Sequence, residues 1–135
     1  MREAYLEFKA RRASSYAEFR ELQLERYRIN PARLDPVIEV MDRALLESTI
    51  DDARALFAMA LEKMSQRRAT ATEADKVQFF ERRIRELRAT ERALPEYFNR
   101  RSEWAMERTP TGAYVIRDRK SGSIVKDFAA NTSTP

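Results

Sequence analysis

From Arg2 to Ile29 the chain carries neither Pro nor Gly and is built of good helix formers, which predicts one long first helix of up to about seven turns. At about 100° per residue, Tyr5, Phe8, Tyr16, Phe19 and Tyr27 fall in one arc and Leu6, Ala10, Ala13, Ala17 and Leu24 in the next, while Glu3, Glu7, Glu18, Glu21 and Glu25 lie opposite. So broad an apolar arc exceeds what one neighbouring helix covers, so the aromatic edge is either core or a docking surface. Asn30-Pro31 and Asp35-Pro36 each read as a cap followed by a first-turn Pro, opening a second helix whose Leu34, Val37, Met41, Ala44 and Leu45 share a face. It ends near Ser48-Thr49, where Thr49 and Asp52 make a cap-like pair for a third helix over roughly residues 50–66. Ile50, Ala53, Phe57, Ala60 and Met64 recur at 3,4 spacing there, the mark of a bundle seam.

The next periodic stretch, capped by Thr72 and Asp75, places Val77, Phe80, Ile84, Leu87, Glu91 and Leu94 at successive seam positions, with Glu91 the one polar intruder. Pro95 disfavours helical geometry at the residue before it, which predicts a fifth helix over 96–108. Beyond Thr109-Pro110-Thr111-Gly112 the period changes to two. Tyr114 and Ile116 alternate with Val115 and Arg117, and Ile124, Lys126 and Phe128 with Val125 and Asp127. With Asp118-Arg119-Lys120-Ser121-Gly122 as the turn, this is a β-hairpin, and Gly122 is placed to take positive φ. The expected fold is therefore mainly α: a bundle of four to five helices over 1–108, a hairpin appended over 109–128 and a disordered tail over 129–135. Asn131-Thr132-Ser133 matches a glycosylation acceptor by chance composition of a polar tail.

Composition narrows the chemistry. In 135 residues there is no Cys and no His, which removes disulfides, thiolate zinc sites, Cys nucleophiles, the commonest general base and the commonest transition-metal ligand. Two glycines leave no room for a phosphate-cradling Gly-rich loop. The carboxylates at Asp35, Glu39, Asp42, Asp51 and Asp52 sit at helix starts, where the dipole and capping explain them. No catalysis, cofactor or metal is expected. No run approaches a membrane span and the N-terminus alternates charge, so the expected location is cytoplasmic, with no membrane partner.

The charge is modestly basic, net +4, and Arg outnumbers Lys 21 to 5. Guanidinium groups are planar bidentate donors for carboxylates and phosphates. The sequence reading that follows is a non-catalytic protein-binding module of adaptor, inhibitor or antitoxin-like kind, with Tyr16, Phe19, Tyr27, Arg101, Trp104 and Ile124 as anchors. The alternative is a nucleic-acid-binding protein. There Arg85, Arg88, Arg92, Arg101 and Arg108 meet phosphates while Tyr97 and Trp104, on the same predicted helical stripe as Arg101 and Arg108, stack on bases. Against that track, Glu81 stands four residues before Arg85 in the favourable ion-pair orientation. A third reading is a structural protein that self-associates into a homo-oligomer.

Overall fold

In the computed structural model, which describes residues 2–130, five helices precede a three-stranded antiparallel sheet: α1 (Arg2–Arg11), α2 (Tyr16–Ile29), α3 (Asp35–Glu47), α4 (Ile50–Thr70), α5 (Ala74–Asn99), β1 (Trp104–Arg108), β2 (Tyr114–Asp118) and β3 (Ile124–Asp127). The mainly helical architecture and the 114–128 hairpin are those expected; the tail from residue 131, with its Asn131-Thr132-Ser133 match, lies outside the described residues. Contacts gather the chain into two compact units, one running to Leu56 and the other starting at Phe57.

In the first unit the single long helix expected over 2–29 is broken in two. Ser15 stops it: as N-cap its Oγ accepts the Glu18 backbone N–H at 3.2 Å, while Glu18 Oε2 accepts the N–H of the preceding Ser14 at 3.4 Å, and α2 starts afresh. The break folds α1 back on α2, and a second turn brings in α3. Residues 31–34 form that turn, so the helix expected from Asn30-Pro31 begins instead at Asp35, with Pro36 in its first turn. The predicted face is the observed one: Leu34, Val37, Met41, Ala44 and Leu45 are all buried, joined by Leu6, Ala10, Leu24, Val40, Ala53 and Leu56. Thr49 caps α4 as expected, its Oγ1 accepting the Asp52 N–H at 3.2 Å.

In the second unit Phe57 and Ala60 of α4 are fully buried, and α5 buries Ile84, Glu86, Leu87, Thr90, Leu94 and Tyr97. The seam thus slips by one residue from Glu91 to Thr90, whose hydroxyl is satisfied locally by the Glu86 carbonyl at 2.8 Å. That resolves the Glu91 anomaly: Glu91 lies half-buried at the margin. The expected break at Pro95 does not occur. α5 continues through it to Asn99, because Leu94 and Tyr97 on either side are fully buried and their packing offsets the lost hydrogen bond. The expected helix over 96–108 gives way after Asn99 to β1, which pairs antiparallel with β2 (Trp104↔Asp118, Met106↔Ile116, Arg108↔Tyr114). Trp104 and Met106 point inward at period two, and that burial overrides the helix propensity of Ala105, Glu107 and Arg108. β2 is the central strand, with Tyr114, Val115 and Ile116 all buried and Phe57 against the Tyr114 ring at 5.9 Å. Gly122 takes φ +76 in the β2–β3 turn, as expected.

Candidate functional site

The arginines at 85, 88 and 92 lie at i, i+3 and i+7 on one stripe of α5, so helical geometry stacks their side chains on the same face. All three are exposed and, among the described residues, none has a hydrogen-bond or ion-pair partner. The ion pair expected between Glu81 and Arg85 is not made: Glu81 reaches α4 instead and takes Arg68 Nε at 3.0 Å. Glu86 is likewise withdrawn, buried with Arg83 Nη1 at 2.7 Å and the Ala130 backbone N–H at 2.9 Å. Glu81 and Glu86, which a sequence would assign to these arginines, are therefore spoken for.

The end of β3 makes the opposite wall. Lys126 Nζ ties the strand to Glu96 of α5 at 2.8 Å, and the Ala130–Glu86 bond holds the chain beyond it. Ala129 and Ala130, the expected start of the tail, are held by this bond and by the Ala129 N–H on Asp127 Oδ1 at 2.9 Å. Between the walls runs a trough of about 560 Å³ lined by the three arginines, Asp127, half-buried Phe128 and the backbone of 129–130. Phe128 was not among the sequence-derived anchors; its place at the end of the alternating Ile124–Phe128 run was the available signal. Comparison with protein-family models, curated proteins and solved structures finds nothing that matches this chain.

The other expected anchors divide sharply. The helical stripe of Tyr97, Arg101, Trp104 and Arg108 does not exist, because Tyr97 lies in the last turn of α5, Arg101 beyond its end, and Trp104 and Arg108 on β1. Tyr97 is fully buried, its phenol pushed up in pKa by that burial against the opposing pull of a Met106 backbone hydrogen bond. Trp104 is 3% exposed under the Arg100 guanidinium, so neither ring has a face for a nucleobase or a partner protein. Arg101 is half-buried against Phe98, with its carbonyl accepting from Arg119 Nε. Arg108 is exposed at the far end of β1. Ile124 is 52% exposed beside Val125 on β3, which is an edge of the sheet.

The first-unit anchors are half-buried and engaged in packing. The Tyr16 hydroxyl donates to Asp52, which also accepts Ser48 Oγ and Arg20 Nε, each at 2.9 Å. Burial, helped by the Asp52 charge, pushes the Tyr16 phenol far above its ordinary pKa. Burial also opposes ionisation of Asp52, but the bonds from Tyr16, Ser48 and Arg20 outweigh it and hold the carboxyl below its usual range. Phe19 is roofed by the Arg43 guanidinium at 4.7 Å, and Tyr27 is half-buried on α2. Among the described residues no cluster of carboxylates is arranged to hold a metal ion, and no helix is long and apolar enough to cross a membrane.

Proposed function

We propose that this chain is a non-catalytic binding module, cytoplasmic in location, whose target is an acidic segment of another protein. The observation that carries the proposal is the set of three exposed, unpartnered arginines lining one trough with Phe128. A guanidinium left in water with no ion-pair partner is available for an incoming carboxylate, and three along one helix face favour an extended acidic strand. Ile124 and Val125, exposed on the edge strand β3, supply apolar area and unpaired backbone groups for strand addition. Protein is favoured over nucleic acid because the two rings assigned to base stacking, Tyr97 and Trp104, are buried.

The test is a tagged pull-down with nuclease treatment, comparing the native chain with the triple variant Arg85→Glu, Arg88→Glu, Arg92→Glu and with Ile124→Asp. The expected result is one stoichiometric protein that survives nuclease, is lost with the triple variant and is weakened with Ile124→Asp. The same arginines support a second reading, single-stranded nucleic acid bound through phosphates alone. It predicts that capture vanishes with nuclease and that log affinity falls with log salt at a slope of about −2 for three neutralised phosphates.

A further inference from the structure

Only residues 71–73 separate α4 from α5, and Arg68 near the end of α4 bonds Glu81 at 3.0 Å, so α5 returns along α4 as a helical hairpin. The base of that hairpin is packed, with Phe57, Ala60, Ile84 and Leu87 buried. Its outer end is not. Among the described residues none from 61 to 83 is buried, although Val77 and Phe80 are apolar and Phe79 is 40% exposed. At about 100° per residue Phe79 falls on the arc of Glu86, Thr90 and Tyr97, the arc that α5 buries further on. There the sheet and the chain beyond it supply the cover: Tyr97 hydrogen-bonds the Met106 backbone and Glu86 accepts the Ala130 N–H. A helix is held in water mainly by burying such a face, and at Phe79 the same face runs on uncovered.

The charges beside Phe79 identify the cover. Asp75 and Arg82 are seven residues apart, so they share one stripe along the flank of Phe79. They stand about 10.5 Å apart along the axis, too far to pair with each other. Asp75 accepts only the Lys76 backbone N–H at 2.9 Å, and Arg82 lies only against the Phe79 ring at 5.6 Å, so neither has an ion-pair partner among the described residues. On the other flank Lys76 and Arg83 are already paired, with Glu73 and Glu86. An antiparallel copy of this face, related by a two-fold axis beside Phe79, sets Asp75 of each chain opposite Arg82 of the other and brings the two Phe79 rings together. That is the self-complementarity an isologous contact requires. From it we infer that the protein forms a two-fold homodimer through the start of α5. The uncovered stretch, residues 74–83, is about 15 Å long, a contact at the small end for specific association, so the dimer is concentration-dependent. Arg85, Arg88 and Arg92 lie on a different side of α5, so the inference stands apart from the protein-binding proposal and leaves it unaffected whichever way it falls.

The test is sedimentation equilibrium of the full chain from micromolar to millimolar concentration, with far-UV circular dichroism as the check on folding. The native chain should pass from monomer to twice that mass as concentration rises, and Phe79→Glu should weaken the dimer by about tenfold or more. Asp75→Arg sets arginine against arginine across the axis and Arg82→Asp sets aspartate against aspartate, so each alone should stay monomeric. Mixed in equal amounts, the two single variants restore both Asp–Arg pairs between unlike chains and should dimerise again, which a contact within one chain would not do. A native chain that stays monomeric throughout, a dimer indifferent to folded Phe79→Glu, or a mixture no more associated than its components overturns the inference.

Discussion

Asp52 gathers three donors, from Tyr16, Ser48 and Arg20, onto one carboxylate and so joins the start of α2 to the start of α4. Folding lowers its pKa below the ordinary 3.8. In the acid range the unfolded chain therefore binds the proton first, and the stability this group contributes is complete above about pH 5 and lost as pH falls through the folded value. Asp52→Asn should cost about 2 kcal/mol at neutral pH and flatten the acid limb of stability, both read from urea unfolding across pH. Tyr16 mirrors it at the other end. Its pKa is raised above 10, so its contribution is complete below that value and is lost as pH rises beyond it; Tyr16→Phe should flatten the alkaline limb. Little of this node was legible beforehand. Asp52 showed itself only as a helix-start carboxylate and Tyr16 only as one tooth of an aromatic arc, because partners 36 residues apart leave no local spacing to read.

At the scale of elements, periodicity read well and boundaries read badly, for identifiable reasons. The α3 face and the α4 seam followed from 3,4 spacing, and the β2–β3 hairpin from period two. The local signal for the α1–α2 break is the Ser15-Tyr16-Ala17-Glu18 cap, which a reading based on the absence of Pro and Gly passes over; Ser15→Ala should cost about 1 kcal/mol, measured by thermal unfolding. β1 was hidden because its residues favour helix and only pairing with β2 makes it a strand. The two glycines should differ in the same assay. Gly112 has φ +95, and a Cβ there would stand 2.9 Å from the Arg83 guanidinium, which bonds the Thr111 carbonyl and Glu86. Gly122 has φ +76 with open space around it. Gly122→Ala should therefore cost about 1 kcal/mol of backbone strain alone, and Gly112→Ala slightly more, because what must move aside is the far end of a flexible arginine side chain.

Among the described residues many charged groups form ion pairs at or near the surface, such as Arg11–Glu7, Arg43–Glu47 and Arg117–Glu107. Exposed pairs contribute little and are screened by salt. Raising ionic strength from about 0.05 to about 0.5 M should thus leave the unfolding midpoint nearly unchanged while weakening anything held by Arg85, Arg88 and Arg92, a contrast that calorimetry and binding measured on one sample would expose. The arginine stripe itself was legible from spacing; its availability was not, since that depended on Glu81 reaching Arg68 and Glu86 turning to Arg83 and Ala130. Trp104 closes the account from another side. It is the single tryptophan of the chain, 3% exposed, with the Arg100 guanidinium 4.2 Å above its ring. Ultraviolet light absorbed there is re-emitted from a dry, cation-capped environment, so the colour of that emission should report, without any attached dye, whether the sheet is closed.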